Sequence, residues 1–316
     1  LAERNGHTGL TEVLLAHGAQ KYSGDADKDF PPGPAYSLIA SRGPVHSIGN
    51  VWEGALPDLF NYPTGICFTS HGGHIVVPDF GNHRVKICSQ HGSVLSVWGK
   101  RGVRDNEFRC PSAAAAGKDG RIYISDRGND RVQIFNSQGV FERVLPVSHM
   151  RAPVGLAISP DQRIMAIANS GQHSIKMVRL DGSGRINMPS IGEYGVNDGQ
   201  MDHPMGVCFS HDGNRIIVAD TGNCRVQIFD LAGVWKMTFS MNGGSAESAP
   251  SAVCVDNRGY IIVEDQWQVQ VFTANGVFVR VLLDVDYKVA GWGGVAVDPA
   301  SNVAVAIASG HQVHVL

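Results

Sequence analysis

Histidines, cysteines and a run of arginines are the side chains through which this sequence would do chemistry. His71, His74 and His91 crowd one stretch and are of the right type to ligate a metal, which needs donors converging at fixed distances. All three fall in turns between apolar runs, where a histidine ordinarily meets only water. Cys67, Cys88, Cys110, Cys208, Cys224 and Cys254 form no CxxC pair and no short-range framework, so a reduced, cytoplasmic setting is expected. Lys100, Arg101, Arg104 and Arg109 share one short segment with only Asp105 and Glu107 against them, and Arg127 and Arg131 follow. With His83 and Arg84 they make up the candidate binding residues, for a protein or for a single-stranded RNA: phosphates need such cations, and bases need stacking partners. Residues 184–203 reverse the balance, with Arg185 against Glu193, Asp198 and Asp202.

Other chemistry finds little support. No GxSxG, HExxH or phosphate-cradling glycine loop occurs. Net charge is −3 and the pI about 6.5, far from the strongly basic balance of a dedicated nucleic-acid binder. No apolar run approaches the roughly 18 residues that span a bilayer, and the first residues lack the basic-then-apolar layout of a signal peptide. No cofactor, metal or small-molecule substrate is indicated, and no catalytic residue is assigned.

The elements that position these residues repeat. One block reads Asp79-Phe-Gly-Asn82-His-Arg84-Val85, then Asp126-Arg-Gly-Asn129-Asp-Arg131-Val132, then Asp220-Thr-Gly-Asn223-Cys-Arg225-Val226. A degraded copy starts at Asn169, and shortened copies stand at Asp265 and near Ala308, so the block recurs every 43 to 51 residues. A period in the forties built from Val, Ile and Phe runs between Gly and Asp turns defines four-stranded propeller blades. Each unit opens on Pro-x-Gly or a relative (Pro63-Thr-Gly65, Pro153-Val-Gly155, Pro204-Met-Gly206) and passes through an apolar strand, a turn and a second strand such as Ile122-Tyr-Ile124. The Asp block and a third strand such as Arg131-Val-Gln-Ile-Phe135 follow, then a last strand. With 38 glycines and 17% charged residues, the composition suits many tight turns.

On these motifs the chain resembles the NHL repeat family, best over residues 201–239, 60–99 and 108–145. The resemblance implies an all-β fold, a six-bladed β-propeller of four-stranded antiparallel blades spanning residues 35–316. Residues 35–41 are expected to complete the sixth blade by pairing with 311–316, which removes an exposed sheet edge. Residues 1–19 look like the second half of an ankyrin repeat, a short helical segment, and Gln20 to Pro34 reads as a linker.

Recurrence sorts framework from candidate surface. Asp79, Asp126 and Asp220 are expected to accept turn amides, Asn82, Asn129 and Asn223 to take the left-handed geometry, and Arg84, Arg131 and Arg225 to tie the turn or a neighbouring blade. Cys67, Cys208 and Cys254 stand where other units hold Ala115, Ala157 and Ala296, a position expected to need a small side chain near the axis. Trp267 and Trp292 are each found in one unit only, where core filling competes with service as interface anchors. The resemblance implies a non-enzymatic binding platform, first for a protein partner. Some NHL propellers bind single-stranded RNA on the face carrying the blade links, which makes the basic segments of the first two units the alternative site. Related propellers also include a zinc-dependent amidating lyase and metal-dependent lactonases. The blade openings here hold no His, Asp or Glu, and only His203 borders one.

Overall fold

The computed structural model describes residues 46–49, 59–70, 73–180, 188–242, 248–284, 293–308 and 311–316. Within them short antiparallel strands form six sheets arranged as the blades of a propeller. Blade 1 covers residues 67–98, blade 2 111–144, blade 3 153–179, blade 4 206–239, blade 5 250–284 and blade 6 294–315. Five sheets have four strands. Blade 3 has three, and among the described residues its outer edge is met by residues 188–191, through the Ile175–Ile191 bridge and the Met188 amide donating to the Met177 carbonyl.

Second strands such as Ile75–Asp79 and Ile122–Asp126 are buried along their whole length, because a neighbouring blade covers each face. That is why they read as unbroken apolar runs rather than as alternation. The outermost strand Val94–Trp98 has one wet face and does alternate. Hydrophobic clusters lie between successive blades: Trp98, Phe108 and Phe135 join blade 1 to blade 2, and Phe229 and Ile191 serve blades 3 and 4. The last cluster joins blade 6 to blade 1 through Val313, Ala306, Ile66 and Ile75.

First strands line the axis, each packed on the next round the ring. The opening glycines make this approach possible. A Cβ on Gly155 would stand 2.4 Å from the Met205 carbonyl oxygen, and one on Gly206 would stand 2.9 Å from the Ala252 Cα. The Gly155 amide instead donates to Met205 at 2.8 Å, a hydrogen bond between blades.

Closure uses a different segment from the one the sequence suggested. His46–Gly49 pairs antiparallel with Gln312–Val315, with Ile48 opposite Val313, and completes blade 6. The strand 312–315 has one partner on its other side already, so this pairing occupies the edge that residues 35–41 were expected to fill. Buried Ile48 in the blade 6–blade 1 cluster is what selects the register. Residues 35–41, the ankyrin-like segment 1–19 and the linker 20–34 lie outside the described residues. The small first-strand residues also have another cause. Cys67 packs on blade 2, Cys208 on blade 5 and Cys254 on blade 6, so the narrow space is between blades rather than at the axis. Burial pushes the Cys67 thiol up to about 12 and holds Cys208 and Cys254 in the thiol form.

Candidate docking face

In blades 1, 2 and 4 the repeated Asp block is a clasp that fastens the entering link to the turn between the second and third strands. Asp126, fully buried, accepts the Arg109 amide at 2.7 Å, Asn129 Nδ2 at 2.7 Å, Arg131 Nε at 2.8 Å and Gln133 Nε2 at 3.3 Å. Asp220 repeats the set with the Asp202 amide, Asn223, Arg225 and Gln227 at 2.7 to 3.0 Å. Asp79 does so with the Asn61 amide, Asn82 and Arg84. The acceptors are therefore filled by link amides more than by turn amides. Arg131 Nη2 reaches the Arg104 and Glu107 carbonyls, so Arg84, Arg131 and Arg225 tie the link down. Asn82, Asn129 and Asn223 are not the left-handed residues. That conformation falls one position later, at His83, Asp130 and Cys224, with φ of 52 to 55°.

The left-handed residue carries a second fastening. His83 Nδ1 accepts the Cys110 amide at 3.0 Å, Asp130 Oδ1 the Ala152 amide at 2.7 Å, His173 Nδ1 the His203 amide at 3.1 Å and His311 Nδ1 the Tyr62 amide at 3.2 Å. Each joins the turn of one blade to the link entering the next. Accepting an amide requires a bare Nδ1, and the pKa of His83 is accordingly held low by burial and by Arg101 and Arg109.

Blade 1 replaces the clasp glutamine with Lys86. Its buried ammonium donates to the Leu59 carbonyl, lies 3.6 Å from Asp79 Oδ2 and stands 3.9 Å from the centre of the Phe60 ring. Burial lowers its pKa to about 8 against the pull of Asp79.

Clasps and links share one face, since the amides of Gly81, Gly128, Gly171 and Gly222 in the turns donate to the carbonyls of link residues Asn61, Arg109, Arg151 and Asp202. Here the sequence candidates separate. Arg84, Arg131 and His83 are occupied by the fastenings just described. Lys100, Arg101, Arg104 and Arg109 expose their side chains, with Lys100 Nζ 3.5 Å from Glu107. Burial raises the pKa of the Cys110 thiol against the opposing pull of Arg127, Arg109 and Arg101, so all three cations lie near that thiol. Arg127, half-buried, also lines the mouth of the axial cavity, about 430 Å³, whose walls include Thr64, Ser112, Leu156 and Ser251.

His71 and Trp292 lie outside the described residues, while His74 and His91 are turn residues on the opposite face. Trp267 follows the second strand of blade 5 and is 37% exposed. Exposed Tyr62, Val103, Tyr194 and Val196 share the link face with it, the two tyrosines meeting His311 and His173 edge-on, and the sequence signal of all four was their occurrence in links.

Behind the axial cavity lies Glu264, on the second strand of blade 5. It accepts the Ser251 hydroxyl and, at 3.3 Å, the Gly293 amide. Burial raises its pKa to about 8 despite the Ser251 bond, which leaves a neutral carboxyl at neutral pH.

Three segments, residues 60–88, 108–135 and 201–229, match the family model described as NHL repeat, so blades 1, 2 and 4 carry NHL repeats. They are the three blades that keep the Asp, Asn and Arg of the clasp. The Drosophila melanogaster protein brain tumor is 43% identical over 96 residues, covering 28% of this chain and 9% of that protein. Human E3 ubiquitin-protein ligase NHLRC1 is 25% identical over 216 residues, covering 64% and 53%. Peptidyl-alpha-hydroxyglycine alpha-amidating lyase 1 of Drosophila melanogaster is 24% identical over 229 residues, covering 66% and 42%. The chain thus spans between 9% and 53% of the length of these relatives. Among solved structures, a Xanthomonas campestris gluconolactonase superposes with a TM-score of 0.67 at 16% identity, covering 88% of this chain and 92% of that one, a likeness of fold. No helix among the described residues is long and apolar enough to cross a membrane.

Proposed function

We propose that the protein is a non-enzymatic docking platform that binds a polypeptide partner on the face carrying the blade links. One observation carries this reading: the link face exposes Tyr62, Val103, Tyr194, Val196 and Trp267 beside two oppositely charged links, although the clasps hold those links without using these side chains. Aromatic residues and arginine are the types that interfaces favour. A basic link at one place and an acidic link at another give a partner its orientation. Relatives that include an E3 ubiquitin-protein ligase support a role in handling other proteins, and a cytoplasmic setting goes with six cysteines that are all free thiols.

RNA binding is the second reading, favoured by the convergence of Arg101, Arg109 and Arg127 and opposed by Glu193, Asp198 and Asp202 on the same face. Photo-crosslinkers placed in cells at Val103 and Tyr194, and on the opposite face at Val140 and Val234, separate the readings. Protein adducts from the first pair alone support the platform; equal adducts from both pairs contradict it. Titration with random single-stranded RNA at two salt concentrations tests the alternative, and binding weaker than about 10⁻⁴ M removes it.

A further inference from the structure

Among the described residues, the junction of blades 3 and 4 is where three metal-type donors come together. His173 comes from the turn of blade 3, and Asp202 and His203 from the link entering blade 4. His173 Nδ1 stands 3.2 Å from Asp202 Oδ1, and His203 Nδ1 stands 2.6 Å from the same oxygen. All three ligand atoms lie within 4.8 Å of one another, and the imidazole centroids are 4.4 Å apart. Around a tetrahedral zinc, donors are separated by about 3.3 Å, given bonds of roughly 2.0 to 2.1 Å. The His173–Asp202 pair already has that spacing, while the 2.6 Å His203–Asp202 contact must lengthen, and the His203 side chain, 62% exposed, has room to move.

His173 Nδ1 accepts the His203 amide, so it carries no proton, and it stands 3.2 Å from the Asp202 carboxylate oxygen, two acceptors side by side. A cation between them would relieve that repulsion and take the Nδ1 lone pair in exchange for the amide bond. The carboxylate cannot swing freely to escape. Its Oδ2 sits over Gly222, where even a Cβ would approach to 2.6 Å, and the Asp202 amide and carbonyl are both held by the clasp. Tyr194 closes the other side of the His173 ring, with centroids 4.7 Å apart.

Comparison within the molecule shows that the fastening does not need the side chains of Asp202 and His203. The same left-handed fastening is made by His83 to Cys110 after Arg109, by Asp130 to Ala152 after Arg151 and by His311 to Tyr62 after Asn61. Only at His173 are the two link residues an aspartate and a histidine. Two imidazoles and one carboxylate are borderline donors of the kind zinc takes. We infer that His173, Asp202 and His203 bind one divalent transition-metal ion of the zinc class, which clips blade 3 to blade 4 and keeps at least one coordination position open to solvent. Binding displaces the proton that His203 Nδ1 shares with Asp202.

The test uses the full chain, stripped with a chelator and titrated calorimetrically with zinc. One ion per chain is expected, together with a thermal midpoint that rises with zinc and returns on chelation. Asp202→Asn and His203→Gln should each weaken binding by about tenfold or more, while His74→Gln leaves it unchanged. Cobalt(II) as a spectroscopic probe should show intensified ligand-field absorption that His203→Gln removes, a readout that does not depend on stability. Absence of stoichiometric uptake, or uptake undiminished in either variant of the cluster, overturns the assignment.

Discussion

The link entering blade 2 and the link entering blade 4 are the same structure with opposite side chains. In the first, Phe108 donates to Lys100 and Gly102 to Phe108; in the second, Met201 donates to Glu193 and Gly195 to Met201. Both end on an amide bound at 2.7 Å by the clasp aspartate of their blade. Yet Lys100, Arg101, Arg104 and Arg109 in one correspond to Glu193, Tyr194, Asn197 and Asp202 in the other. Backbone geometry is set by Asp126 and Asp220, glycines and a buried anchor (Phe108 or Met201), and the remaining positions are open to whatever function selects. The likeness of the links is therefore information about folding, and under the proposed docking role their difference is information about the partner.

The largest effect should come from breaking the shared part. Asp126→Ala or Asp220→Ala leaves a link amide, an asparagine amide and a buried guanidinium without their acceptor and should cost about 3 kcal/mol or more. Chemical denaturation reads this directly. Gly155→Ala forces a side chain into the Met205 carbonyl at the axis, for a loss of about 1 to 3 kcal/mol by the same measurement.

Smaller effects come from the two blades whose buried groups depart from the pattern. Glu264 occupies a position held by Ala168 and Ala219 in blades 3 and 4, and its pKa is raised to about 8. The folded state therefore holds its proton where the unfolded chain has lost it. Its contribution to stability falls as pH rises from about 4.5 towards 8 and is flat above. Glu264→Gln should abolish that slope. Lys86 gives the opposite trend: with its pKa lowered to about 8 from 10.5, the folded state sheds a proton that the unfolded chain keeps, so its contribution to stability rises with pH across that window. Lys86→Gln installs the residue that blades 2, 4 and 5 use at this position. It should leave stability at pH 7 equal or higher by up to about 1 kcal/mol and remove the alkaline gain. Unfolding midpoints measured across pH separate the two slopes.

How far the sequence disclosed this depended on repetition. The six blades, their strands and the clasp block were legible because the same physical demand writes the same residues several times. Asp79, Asp126 and Asp220 announced a framework before any geometry was known. Closure was harder to read, since it rests on one buried residue, Ile48, in a four-residue strand with no second copy to compare. The His83 fastening was hidden because it tolerates either His or Asp, so no single letter marks it. His173 and Asp202 stand about thirty residues apart and meet only through the blade-to-blade fastening, which periodicity alone does not expose. The exposed side chains of the link face are unrepeated and so carry no internal signal beyond their departure from the pattern.

The most direct test writes one link's side chains onto the other, in a chain carrying Lys100→Glu, Arg101→Tyr, Arg104→Asn and Arg109→Asp with the crosslinker retained at Val103. Because the clasps hold the backbone, thermal unfolding should stay within the small range of ordinary surface changes, about 0.5 kcal/mol per site, while protein adducts at Val103 should be lost. A chain that unfolds would show that these side chains belong to the framework, and a stable chain with undiminished adducts would show that the link face is not where the partner is recognised.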